Sequence, residues 1–161
     1  MQIVSNARIK NIINSQRTKT GLFLAACFVL PCVILLAIFI SYGFAPFGEK
    51  SLMIMDMSGQ YSEFFCGLKN INPQNGGILF SWSKALGGNY AGVFAYYVAS
   101  PLSFITLLFP NEYMHIGVFV LTLLKIGLCG LTFGMLMNHF SKNKARNVIF
   151  PIFYGLMSYN I

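Results

Sequence analysis

The sequence predicts an all-α membrane protein of several transmembrane helices. Three observations carry that prediction: an apolar composition, a long uncharged run, and basic residues gathered beside apolar segments. Of 161 residues, 56% are hydrophobic and 9% charged, with 16 Phe and 8 Tyr. A soluble domain has no use for such a surplus, so lipid is the expected solvent.

Leu22 to Tyr42 runs 21 positions without a charge, enough at the rise of an α-helix to cross a hydrocarbon core of about 30 Å. Residues 21–43 therefore form the first predicted span. A secretory signal peptide carries a shorter apolar region of about 7 to 15 residues and a small-residue cleavage site, and "SYGFAPFG" offers no good one. Pro31 inside the run is tolerable where a neighbouring helix re-satisfies the carbonyl it frees. The second span is predicted over 113–140. A third begins at 147, but from Val148 only 14 residues remain, about 21 Å as a helix and short of the bilayer core. The expectation is a fragment, with the third span truncated at Ile161.

A net charge of +7 raises nucleic acid as a partner, yet seven of the eleven basic residues sit in two clusters beside apolar segments, and topology explains them better. Arg8, Lys10, Arg17 and Lys19 precede the first span, and Lys142, Lys144 and Arg146 follow the second. Lys and Arg mark the cytoplasmic side, so residues 1–20 and 141–146 are both assigned inside, in a multi-pass protein of the bacterial cytoplasmic membrane. An even number of spans then separates them, which makes 44–112 an extracytoplasmic loop. The apolar stretch 92–109 within it, interrupted at Ser100-Pro101, is read as re-entrant or interfacial, with a further span as the alternative. Of the four cysteines, Cys27, Cys32 and Cys129 lie in spans and only Cys66 in the loop; no disulfide framework or metal spacing emerges.

All four acids fall in that loop: Glu49, Asp56, Glu63 and Glu112. Met57, Tyr61, Phe64, Phe65 and Leu68 recur at helical spacing, opposite Gln60, Glu63 and Gly67. This predicts an amphipathic helix over 57–69 lying on the outer membrane surface, with Asp56 placed to cap it. Asn70, Asn72, Pro73, Asn75, Gly76 and Gly77 then form a cluster of turn residues. Beyond them, Trp82, Tyr90, Tyr96 and Tyr97 are aromatics of the sort that settle at headgroup depth. Gly87-Gly88 permits a tight turn, and it is no nucleotide fingerprint, because no strand-to-helix context surrounds it.

The run "MIMDMSGQYSEFFCGLKN", followed by "LFSWSKALGGNYAGVFAYYVASPLSFITLLFP" and then "LLKIGLCGLTFGML", resembles the start of the bacterial YfhO family of membrane proteins. Members of that family look like GT-C glycosyltransferases, multispan enzymes that take a sugar from a polyprenyl-phosphate donor at the outer membrane face. The resemblance implies a lipid-linked sugar as substrate and a cell-envelope polymer of the teichoic-acid type as acceptor. It also implies a catalytic carboxylate in the first outer loop, and the matching position is Asp56. Complete members are several times longer, with many further spans.

Such a transfer needs a base at the acceptor hydroxyl and positive groups at the departing phosphate. Asp56 is the candidate base, with capping as its plainer role. Glu63, seven residues on and about two helical turns away, is a candidate helper acid or metal ligand, and otherwise part of a solvated face. Lys84, Lys69 and Lys125 are candidate contacts for the donor phosphate. Lys125 lies 12 residues into the second span, about 18 Å along it, on a face shared with Thr122, Cys129 and Thr132 that should point into a bundle. Its plainer role is a pair with an acid on another helix. Gly127, Gly130 and Gly134 on the other side read as a helix-packing face, and His115 and His139 as polar residues near the span's ends. Two other functions fit the same residues: a transporter or flippase subunit using Lys125 and the re-entrant segment, and a membrane assembly protein without chemistry.

Overall fold

A computed structural model describes residues 2–71, 74, 77–82, 87–140 and 147–157. Among these the regular elements are all helical, with two isolated bridges, Phe44 with Lys50 and Ser81 with Gly88. Helix α1 runs Gln2–Tyr42 and α2 Ser62–Lys69; α3, Tyr90–Val93, is followed by α4, Met114–Phe140, and α5, Ile149–Gly155. Two segments are long and apolar enough to cross a membrane, Ser15–Tyr42 with 28 residues and Asn111–Phe140 with 30. The protein is an all-α membrane protein.

The chain divides into two compact units, Met1–Ala37 with Leu123–Ile161, and Ile38–Thr122. In the first, α4 packs on α1 through glycines. A Cβ on Gly127 would come within 2.7 Å of Cys32 Sγ and one on Gly134 within 2.7 Å of Cys27 Sγ, so only glycine lets the backbones approach this closely. Gly130 faces the Cys27 carbonyl oxygen, which a Cβ there would overlap. That oxygen is the one Pro31, four residues on, deprives of its helical donor; Gly130 brings a neighbouring backbone up to it. The Cys32 thiol donates to the Leu123 carbonyl at 3.3 Å. Helix α5 joins the same packing, with Gly155 near Pro31 and Gly130, and Tyr154 stacked on Phe133 at 4.6 Å.

The second unit begins with the end of α1. Gly43, at φ +69°, supplies the left-handed residue of a Schellman cap. Phe44 N–H donates to Phe39 O at 2.9 Å and Gly43 N–H to Ile40 O at 3.1 Å, while the Phe39 and Phe44 rings meet at 5.5 Å. The chain then closes a short loop, with Ala45 N–H on Lys50 O and Lys50 N–H on Gly43 O, and Phe47 reaches Phe119 of α4.

The apolar stripe predicted to face lipid finds protein. Phe65 and Leu68 are buried with Val98, Met114, Val118 and Leu121, and Met57, Tyr61 and Phe64 pack against that cluster. The stretch after Asn89 is bent: Tyr90–Val98 and Pro101–Leu108 meet at 104°. Ser100 before proline is extended, at ψ 131°, as proline demands of its predecessor, and Pro101 opens a 3-10 turn where its missing N–H costs nothing. The segment is therefore two short arms and not one rod.

Candidate functional site

Asp56 stands at the head of the inter-span helix, but not as its cap. A capping residue needs extended backbone so that its side chain can reach back to the free N–H groups. Asp56 is already helical, at φ −61° and ψ −30°, and makes no side-chain cap bond. The cap expectation is thus corrected. Two unusual backbone features flank the residue. Met55 before it is left-handed, at φ +51°, a conformation costly for a residue with a Cβ, and its carbonyl accepts from Ser58 and Gly59 N–H. After it, Met57–Tyr61 forms a π turn, closed by Ser62 N–H on Met57 O, a widening often met at functional sites. The Asp56 carboxylate is exposed and makes no hydrogen bond or ion pair among the described residues.

Glu63 is also exposed, in the first turn of α2. The two-turn spacing that would align it with Asp56 assumes an unbroken α period, and the π turn between them breaks it. Lys69 is half-buried and donates its Nζ to the Phe109 carbonyl, tying the end of α2 to the residue that ends the Pro101–Leu108 turn. An ammonium has three N–H groups, so two make no bond among the described residues. Lys84 lies outside the described residues. Among the described residues no three His, Cys, Asp or Glu side chains gather as metal ligands.

Lys125 is exposed on α4, within a span where a charge costs on the order of 3 kcal/mol to insert by translocon scales. The face expected to point into a bundle is open in part: Lys125 and Thr132 are exposed, Thr122 and Cys129 half-buried.

Tyr90 was missed. Its spacing and aromatic company suggest headgroup depth, yet it is 4% exposed, because its hydroxyl finds the Phe64 carbonyl at 2.7 Å and a buried phenol needs such a partner. Its ring fills the space beside Gly67, where a Cβ would come within 2.9 Å of it; the glycine at 67 was the one signal in the sequence. Trp82 and Tyr96 do remain exposed.

Cys66, one turn before the end of α2, is half-buried, and burial pushes its thiol above the ordinary range; the Glu63 carboxylate adds to the rise and the Lys69 ammonium offsets part of it. The thiolate is the reactive form. Labelling of Cys66 by a membrane-impermeant maleimide should therefore accelerate about tenfold per pH unit from pH 7 to 9, without levelling off. A plateau at pH 8 would contradict the raised thiol.

These elements define a polytopic α-helical membrane protein with an exposed carboxylate and a bent apolar segment between two spans. The family model of the bacterial membrane protein YfhO matches residues 26–161. The chain belongs to the YfhO family. No curated protein and no solved structure matches it.

Proposed function

We propose that the chain is part of an integral membrane glycosyltransferase of the GT-C type, acting at the outer face of the bacterial plasma membrane with the N-terminus inside. The donor is a polyprenyl-phosphate sugar and the acceptor a cell-envelope polymer of the teichoic-acid type. The observation that carries this reading is the state of Asp56: a carboxylate left exposed, with no hydrogen bond or ion pair among the described residues, held between a left-handed residue and a π turn. A carboxylate so placed takes the proton from the acceptor hydroxyl as that oxygen attacks the anomeric carbon. The bond from that carbon to the phosphate oxygen breaks with its electron pair, and the phosphate leaves as an anion. The Lys69 ammonium, two of whose N–H groups make no bond among the described residues, and Lys84 are the cations suited to it. Glu63 is assigned a supporting part. The basic clusters before the first span and after the second support the orientation.

The test is Asp56→Asn in the intact protein in its own membrane, read as sugar on the cell-surface polymer at unchanged protein level. Reaction of Cys66 with impermeant reagent from outside whole cells tests the orientation independently.

A further inference from the structure

The side of α4 opposite its glycines carries a charge that has no partner among the described residues. Lys125 is exposed there, and Thr132 and Leu136, two and three turns on, share that side; Leu136 is 49% and the adjoining Met135 52% exposed. The threonine hydroxyls are already served by their own helix, Thr132 donating to the Leu128 and Cys129 carbonyls and Thr122 to the Val118 carbonyl. The ammonium of Lys125 makes no such bond among the described residues.

Nor can it escape to water along its own helix. Lys125 stands 11 positions after Met114 and 15 before Phe140, roughly 16 and 22 Å, against a side chain about 6 Å long that snorkels only near helix ends. The chain's four acids are Glu49, Asp56, Glu63 and Glu112, and none lies between 113 and 161. Glu112 comes 13 positions before Lys125, about 20 Å along the helix line.

We propose that this side of α4 is the docking surface for a transmembrane helix carrying a carboxylate at the depth of Lys125, the two forming an ion pair inside the membrane. Charge complementarity selects the occupant. A glutamate or aspartate borne on a helix arrives at mid-span, whereas a lipid phosphate stays at the headgroups, about 15 Å from the bilayer centre. The exposed Leu136 and Met135 supply apolar surface for the rest of the contact. The proposal is independent of the transferase reading.

The probe is a synthetic leucine-alanine transmembrane peptide with a single central Glu, and its Gln counterpart. Each is reconstituted with the chain in phosphatidylcholine vesicles, and association is read by energy transfer between labels on peptide and chain. The Glu peptide should associate about fivefold to thirtyfold more tightly than the Gln peptide, as for interhelical polar contacts in bilayers. Lys125→Met should abolish the preference, and Lys125→Glu should transfer it to a peptide with a central Lys. Equal association of the Glu and Gln peptides with the native chain overturns the proposal, as does a Glu preference that survives in Lys125→Met. In a parallel set of vesicles with phosphatidylglycerol mixed into the phosphatidylcholine, Lys125-dependent enrichment of phosphatidylglycerol around the chain, without a Glu preference, overturns it in favour of a lipid phosphate.

Discussion

Asp56→Asn is expected to reduce sugar transfer by about 10²- to 10⁴-fold, the usual contribution of a positioned acid–base group. The substitution keeps the size and the carbonyl oxygen and removes the basicity. Because Asp56 makes no cap bond and is exposed, stability should move by no more than about 0.5 kcal/mol, as at a surface site. That separation makes the experiment decisive. Transfer is measured as sugar incorporated into the polymer per molecule of membrane protein, beside Glu63→Gln, whose exposed carboxylate past the π turn should cost only a few-fold. Undiminished incorporation in Asp56→Asn at equal protein level would remove the carboxylate from the chemistry.

Gly130→Val is expected to have the largest effect on the fold. The new Cβ would overlap the Cys27 carbonyl, with Pro31 Cγ at 3.0 Å, and neither a helix backbone nor a proline ring yields as a flexible side chain does. Overpacking of this kind costs about 1 to 3 kcal/mol, occasionally more. Here it also forces away the backbone that approaches an oxygen already short of a donor. A lowered unfolding midpoint in detergent, together with easier denaturation by added SDS, is the expected readout. Gly21→Ala is the control: nothing lies within 4 Å of a Cβ there, and alanine in a helix is neutral or slightly stabilising. Equal midpoints for the two variants would contradict the close approach at Gly130.

What the sequence made legible follows from the range of the forces involved. The spans rest on composition summed over twenty or more residues, and the glycine face on a spacing that needs only a second helix; both were readable. The break at Ser100-Pro101 was readable because proline acts on its immediate neighbours. The stripe of Met57, Tyr61, Phe65 and Leu68 was visible as a pattern, but its partner was not. A face that suits lipid also suits Val98, Met114 and Val118, and periodicity does not tell the two apart. Tyr90 escaped for a related reason, since its depth depends on a carbonyl 26 residues away in sequence. The absence of a cap at Asp56 turned on the backbone of Met55, whose left-handed form no preference of methionine foretells.

A five-residue π turn is in effect an α turn holding one residue too many, so the direction of the Asp56 carboxylate is set by chain length as well as by residue identity. Removing one residue, such as the exposed Gly59, would let the segment relax to the commoner helix with its buried anchors Phe65 and Leu68 in place, while carrying Asp56 about 100° around the axis. In such a chain every side chain of the proposed site would be present and the carboxylate proposed to act as base would be aimed elsewhere.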